Sequence, residues 1–265
     1  MVATAARPRA DDTVDRQALE TFAGRYGDCR LGPVCVVIPA YEEERTIGAV
    51  IDAVPERVCG LATSVLVVVD GGTDATEEVS AAHGAHACAC RVNRGQGAAL
   101  RLGYRLASER GATFVVTVDA DGQWDPAETE RLVKPLVDGE ADFVQGSRRL
   151  GWAANEDRVR AAGVLFFAWL VNLLTGARVT DTSSGFRAFH ARVVGDITLL
   201  QDQYQSSELL IEVLSRGYRV AERPVTMRAR HSGHSKKGGN IAYGARYAGV
   251  ILTTWWRVRG SGPAR

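Results

Sequence analysis

No run of roughly 18 apolar residues occurs in the chain, so no segment has the length and composition of a membrane-crossing helix. An excess of one charge is also lacking. Lys and Arg number 32 against 31 Asp and Glu, a net charge of +1, so bulk charge gives no argument for a nucleic-acid partner. No CxxC pair appears among the five cysteines, Cys29, Cys35, Cys59, Cys88 and Cys90, and no histidine lies at zinc-ligand spacing from them. All five are expected to pack as small buried thiols, in a reducing, cytosolic compartment. The opening stretch MVATAARPRADDTVDRQ has no apolar h-region, so it does not read as a secretory signal. No internal repeat and no second-domain boundary is visible.

What is present fits one α/β domain with small additions. The chain has 265 residues, of which 46% are apolar and 24% charged. Residues 1–11 read as disordered. Asp12–Tyr26 reads as a short amphipathic helix on Val14, Ala18, Leu19 and Phe22. Residues 1–32 thus form an N-terminal extension. From Val34 a βαβα pattern begins. Strands are predicted at Val34–Ile38, Val65–Val69, Ala87–Val92, Thr113–Val118 and from Phe143. Helices are predicted at Glu44–Val58, Asp74–His83, Gly97–Arg110 and Pro126–Val137. This alternation implies a mostly parallel central sheet with helices on both faces. Further helices are expected at Val159–Thr175 and Ser206–Arg216, with two short strands, Tyr218–Glu222 and Val225–Met227, around Pro224. Residues 33–240 form the main domain. Residues 241–265 form a C-terminal amphipathic helix and tail carrying Tyr243, Tyr247, Trp255 and Trp256.

In open α/β sheets ligands bind beyond the carboxyl ends of the strands. Those ends hold Pro39-Ala40-Tyr41-Glu42-Glu43, Asp70-Gly71-Gly72, Asn93-Arg94-Gly95, Asp119-Ala120-Asp121 and Gly146-Ser147-Arg148. The sharpest local signal is Asp119-Ala120-Asp121-Gly122-Gln123, followed by Trp124-Asp125-Pro126. Two carboxylates just off a buried strand can converge on one hard cation, Mg²⁺ or Mn²⁺, which takes oxygen ligands and often bridges to substrate phosphates. A solvated turn with acids capping the next helix would carry the same residues.

The motifs Val37-Ile38-Pro39-Ala40-Tyr41, Val69-Asp70-Gly71-Gly72-Thr73-Asp74, Asn93-Arg94-Gly95-Gln96-Gly97, Asp119-Ala120-Asp121-Gly122-Gln123, Gly146-Ser147-Arg148, Ser184-Gly185-Phe186-Arg187 and Gly233-His234-Ser235-Lys236 follow one another in order. In this ordered set the chain resembles glycosyltransferase family 2, over about residues 33–240, and within it the polyprenyl-phosphate sugar transferases such as dolichyl-phosphate mannose synthase. The resemblance implies a GT-A fold, an inverting transfer from a UDP- or GDP-sugar, and a polyprenyl or dolichyl phosphate acceptor. It implies that Pro39, Tyr41 and Glu43 line the nucleoside pocket and that Asp70 contacts base or ribose. Asp119 and Asp121 would serve the metal and sugar diphosphate, with Gln123 a further metal ligand. Arg148 and Arg187 would grip the acceptor phosphate. Ser235 and Lys236 would sit on a loop closing over the donor diphosphate. Three positions depart from the family pattern: Glu42 stands for Asn, Val69-Asp70-Gly71-Gly72 for a paired Asp-Asp-Gly-Ser, and Trp124 for His.

A lipid phosphate makes chemical sense as acceptor. A hydroxyl needs a general base, for which Asp181 is the residue to watch. A phosphate monoester is already largely ionised at pH 7, with a second pKa near ~6, and needs positioning instead. Arginine suits that task through its planar fork. The apolar segment Ala161–Leu174 and the pair Trp255-Trp256 either pack internally or lie in a membrane interface. The second reading places the protein peripherally at the cytoplasmic face. A family 2 transferase acting on a sugar or natural-product hydroxyl, and a nucleotide-sugar-binding module without transfer activity, are the competing readings. Arg228, Arg230, His231, His234, Lys236 and Lys237 crowd into one Gly-containing loop, whose mutual repulsion an anion would relieve.

Overall fold

Strands covered on both faces need apolar side chains at every position, and the two most continuous apolar runs form the centre of the sheet. In the computed structural model, which describes residues 10–154, 158–229 and 240–260, these are β1 (Val34–Ala40), buried throughout, and β3 (Leu61–Asp70), buried over its second half. They pair in parallel, and β1 pairs on its other side with β5 (Phe114–Thr117), again in parallel. On the outer side of β3, β2 (Arg57–Val58) pairs antiparallel with its start and β4 (His86–Cys90) pairs parallel with its end. Beyond β5 the direction reverses. β7 (Arg187–His190) inserts antiparallel between β5 and β6 (Phe143–Ala153), and β8 (Val220–Met227) runs parallel to β6 at the far edge. The order is β2-β3-β1-β5-β7-β6-β8, with β4 beside β3.

Alternation along the strands feeds two cores. Cys35 and Val37 of β1 face one, with Val34, Val36 and Ile38 facing the other. The first core is covered by α1 (Ala10–Tyr26), α4 (Gln96–Glu109), α6 (Arg158–Thr175), α8 (Gln205–Ser215) and α9 (Asn240–Val258), through residues such as Phe22, Leu100, Val171, Leu209 and Tyr247. The second is covered by α2 (Ile47–Asp52) and α5 (Thr129–Val137), through Ile47, Val50, Leu132 and Leu136. The short helices α3 (Thr76–Ala82) and α7 (Val193–Asp196) complete the set.

Several expectations are corrected. The helix expected at Glu44–Val58 shrinks to α2, because Pro55 disfavours helix at Val54 and Arg57–Val58 turn into β2. The two short strands around Pro224 are one strand, β8. Pro224 is tolerated there because β8 is an edge strand. Phe186–Phe189, read only as the end of a loop, contributes β7. Of the five cysteines, Cys35, Cys88 and Cys90 are buried, whereas Cys29 and Cys59 are half-buried. The helix of the N-terminal extension docks on β4. Ala18 and Phe22 are buried in the core, and the Tyr26 hydroxyl accepts a bond from Ala87 N at 3.0 Å. Full burial of a side chain like Phe22 contributes about 1.5–3 kcal/mol.

The far edge is clamped by Asp142, the residue before β6. Its carboxylate accepts from Arg219 N, Nε and Nη2 at 3.0–3.1 Å and from Arg192 Nη2 at 2.6 Å, so β6, β8 and α7 start from one point. The Arg219 bond holds the Asp142 carboxyl down at about 2. A carboxyl with a lowered folded-state value stabilises above its unfolded value and loses that contribution as pH falls through the folded value. Asp142→Asn is therefore expected to cost on the order of 1 kcal/mol at pH 7, the guanidinium partners being largely solvated. The gap from wild type should close between about pH 4 and 2; denaturant melts at a series of pH values check this.

Candidate active site

The carboxyl ends of β1, β3, β4 and β5 meet along one rim. Gly72 borders Tyr41 and Glu42, whose backbone is left-handed at φ 54°. Such a backbone suits Asn better than Glu. Glu43 N donates to Thr76 Oγ1 at 2.9 Å, and its carboxylate accepts from Thr46 Oγ1 at 2.8 Å. Asp70 ties the end of β3 to the turn after β4: it accepts from Arg94 N at 3.1 Å and from Gly95 N at 2.7 Å. Burial pushes its carboxyl above the ordinary value, and those two amides pull against the rise. The turn leads into α4, whose first residue reaches the metal motif: Gln96 Nε2 donates to Asp119 Oδ1 at 2.7 Å. The other oxygen, Oδ2, accepts from Trp124 Nε1 at 3.0 Å. Asp121 Oδ1 accepts from Gln123 N at 3.1 Å. Beneath Asp119 lies Gly185, where a Cβ would collide with the carboxylate.

The rim continues to the end of β6. Trp124 bridges to Met227 of β8, and Met227 Sδ accepts from Arg148 Nη1 at 3.4 Å. Between Ser147↔Pro224 and Trp152↔Thr226 the register shifts, β6 advancing five residues while β8 advances two. Bulges of this kind re-aim side chains beside active sites. Here the bulge turns Arg148 onto Asp181 (Nε–Oδ2 2.9 Å, Nη2–Oδ1 3.1 Å) and onto the Ser183 hydroxyl, and leaves Arg149 and Leu150 exposed. Next to them runs a groove of about 500 Å³, lined by Arg149, Leu150, Leu165, Trp169, Leu173 and Thr180 among others. The outer face of α6 is open: Leu165, Phe166, Trp169 and Leu173 are 49–64% exposed. Among the described residues no helix is long and apolar enough to cross a membrane.

Register places one polar row under this rim. Thr117, Arg187, Gln145 and Glu222 stand directly opposite one another across β5, β7, β6 and β8, and opposed residues share a face. Arg187 is 1% exposed, and its Nη2 donates to Gln205 Oε1 at 2.9 Å. Its Nε and Nη1 have no hydrogen-bond partner among the described residues, nor does Gln145 Oε1. One layer deeper the same face is apolar, with Phe143 and Phe189 in the core.

Residues 35–196, more than half of the chain, match the family model described as glycosyl transferase family 2. The chain belongs to glycosyltransferase family 2. It is 34% identical to a dolichyl-phosphate hexose transferase of Haloferax volcanii, over 83% of this chain and 94% of the relative. It is 30% identical to an undecaprenyl-phosphate mannosyltransferase of Micrococcus luteus, over 84% of this chain and 93% of the relative. Among solved structures, a glucosyl-3-phosphoglycerate synthase of Mycobacterium tuberculosis has a TM-score of 0.66 at 24% identity, covering 90% of this chain and 84% of the other. The fold is thus GT-A.

For a family 2 glycosyltransferase, the rim joins most of the residues expected from the sequence. Tyr41, Asp119, Asp121, Gln123 and Arg148 lie along it. Pro39 is buried within β1, one strand residue short of the rim. Ser235 and Lys236, with the rest of residues 230–239, lie outside the described residues. The loop departs from Arg228, whose N donates to Gln123 O at 2.7 Å and whose guanidinium pairs with Asp125. Asp70 is 2% exposed and accepts from the Arg94 and Gly95 amides of the turn after β4. Arg187 is 1% exposed and lies in the floor beneath the rim. Asp181, which a hydroxyl acceptor would need as base, is fully buried and ion-paired to Arg148. Gln96 and Trp124 were not assigned roles from the sequence, although both lie inside quoted motifs. Only the hydrogen bonds to Asp119 reveal what they do.

The donor set fits a cation that arrives with its substrate. Among the described residues no three His, Cys, Asp or Glu side chains cluster to hold a metal by themselves. Two carboxylates and an amide, Asp119, Asp121 and Gln123, form a partial oxygen set, the kind that Mg²⁺ or Mn²⁺ completes with phosphate oxygens and water. Gly185→Ala tests the close approach. It should displace Asp119 and lower sugar transfer by about 100-fold, the loss that a misplacement near 1 Å brings. The melting temperature should hold within a few degrees.

Proposed function

We propose that this transferase moves a sugar from a UDP- or GDP-sugar onto the phosphate of a polyprenyl lipid, with inversion, at a membrane surface. The observation that carries the reading is the groove lined at one end by Arg149, the residue after Arg148. It joins a cationic head to an apolar trough bordered by Trp169 and Leu173, which matches an amphiphile with an anionic head. The names of the two relatives above, and of a UDP-N-acetylglucosamine–dolichyl-phosphate N-acetylglucosaminyltransferase of Methanococcus voltae that is 28% identical over 80% of this chain and 91% of the relative, support the same acceptor class. The open face of α6 supports a peripheral position on the lipid surface, and five cysteines that are all thiols in the structure fit the cytoplasmic side.

In this reading Tyr41 and Glu43 border the nucleoside, and the backbone turn held by Asp70 closes that end of the pocket. Asp121, Asp119 and Gln123 hold Mg²⁺ or Mn²⁺ with the donor diphosphate. When bound, the cation neutralises charge on the leaving nucleoside diphosphate. Gln96 and Trp124 fix Asp119 before substrate arrives, so little reorganisation is needed on binding. Arg148, oriented by Asp181, receives the acceptor phosphate. That phosphate is already anionic, so the acceptor side supplies alignment and charge matching in place of a base. The buried Arg187 adds positive potential from below.

Purified enzyme offered UDP- and GDP-sugars with Mg²⁺ or Mn²⁺ should form a polyprenyl-phosphate sugar and stop when the metal is chelated. Transfer to soluble hydroxyl acceptors with none to the lipid phosphate would overturn the reading. Asp121→Asn should lower turnover by about 100-fold or more, since it removes a charged ligand from the leaving-group side. Trp169→Glu should raise KM for a long-chain acceptor roughly tenfold, the scale of one lost large apolar contact. It should leave KM for a phosphate with a short, water-soluble prenyl chain unchanged.

A further inference from the structure

Glu222 lies at the outer end of the polar row, next to Gln145, and takes no part in the rim itself. Its carboxylate accepts from Thr180 N on both oxygens, at 2.9 and 2.8 Å, and from Asp181 N at 3.1 Å. Thr180 and Asp181 belong to neither helix nor strand, so their amides have no ladder to join, and buried amides without partners are costly. A second tie joins the same loop to β6, between Ser147 Oγ and Thr180 Oγ1 at 2.7 Å. The loop ends in the buried Asp181 carboxylate, which holds Arg148 through its backbone N, Nε and Nη2 and also accepts from Ser183 N at 3.1 Å.

The chemistry at this point is demanding. Burial pushes the Glu222 carboxyl above its ordinary value, and the Asp181 charge beside it pushes the same way. A neutral glutamine would avoid both effects, but Thr180 N sits between the two oxygens, so an NH₂ group in place of either would face it donor to donor. A carboxylate accepts from both loop amides without that clash. Among the described residues its carboxylate bonds go to the loop that presents Asp181 to Arg148.

We propose that Glu222 is a positioning residue for the acceptor side: by holding the amides of Thr180 and Asp181 it sets the carboxylate that orients Arg148, without touching substrate. This rests on the assignment of Arg148 to the acceptor phosphate, so the test separates the two. The first arm needs no acceptor. In the ¹⁵N spectrum of arginine side chains, Glu222→Gln should shift or broaden the Arg148 Nε–H signal. The Arg219 Nε–H signal, held by Asp142 near the other end of β8, should stay in place. Asp181→Asn, which leaves the bonds of Glu222 to the loop intact, should perturb Arg148 in the same way. An unchanged Arg148 signal in folded Glu222→Gln would overturn the proposal. The second arm is kinetic. Glu222→Gln should raise KM for polyprenyl phosphate roughly tenfold, the scale of a lost bond to a charged group, with nucleotide-sugar affinity unchanged. In an Arg148→Ala background it should add little, because the two changes act on one unit. Additive losses, or equal weakening of donor and acceptor, would overturn the positioning role. If Arg148→Ala alone leaves acceptor use intact while the spectral arm holds, the fault lies in the assignment of Arg148 to the acceptor, and the link from Glu222 to Arg148 stands.

Discussion

The site depends on one reversed strand. β7 runs antiparallel between β5 and β6, so the residue just before it, Phe186, and its neighbour Gly185 arrive at the carboxyl end of β5, where the Asp119 motif begins. A parallel strand in the same slot would deliver its carboxyl end there instead, and the loop that precedes β7 would fall at the opposite edge of the sheet. With β7 reversed, one short segment, Thr180–Gly185, can touch Asp119 at one end and Arg148 at the other. The Asp119 and Arg148 ends of the site are thereby fixed relative to each other by backbone pairing, the stiffest link the fold provides. Glycine at 185 is the local cost of that approach, since no side chain fits between β7 and the carboxylate.

The two halves are held by different chemistry. Around Asp70 and Asp119 the bonds described run to backbone amides and uncharged side chains: Asp70 to Arg94 N and Gly95 N, Asp119 to Gln96 and Trp124. Around Arg148 the partner is the buried carboxylate of Asp181, a pairing that keeps the guanidinium in one orientation. Under both halves lies the buried Arg187, with no carboxylate bonded to it among the described residues. It gives the floor a permanent positive bias.

Much of this was legible in the sequence where a single local rule decides the outcome. The apolar runs at Val34–Ile38 and Val65–Val69 became the central strands, and the acids and arginines at strand ends fell on one rim because strand ends are where loops gather. Legibility failed where a residue answers to partners distant in the chain. Glu44–Val58 looked helical throughout, but Pro55 and pairing with β3 cut it short. The motif at Arg187 carries no depth; only register with Thr117 and Gln145 shows that it lies a layer below the rim. Trp124 appeared as a departure from the family pattern, and the structure gives it a donor for Asp119 that its sequence neighbours do not announce. Asp70 stands out in the sequence as an acid at a strand end; its bonds to the Arg94 and Gly95 amides, which tie β3 to the turn after β4, depend on partners more than twenty residues away.

Pro224 has a consequence along the outer border of the sheet. Thr226 N points away from β6 and donates to Glu128 Oε2 at 2.7 Å. Strand alternation then turns the Pro224 nitrogen outward as well, so proline removes no bond that the sheet needs. Along this stretch of the outer edge, one amide hydrogen is missing and the next is already occupied by a side chain. Arg223 beside them carries a charge bridged to Glu140. A second polypeptide seeking to add itself here would find no pair of donors in register, so the sheet ends at β8 by construction, and crowding of many copies does not turn this border into a seed for fibrous stacking.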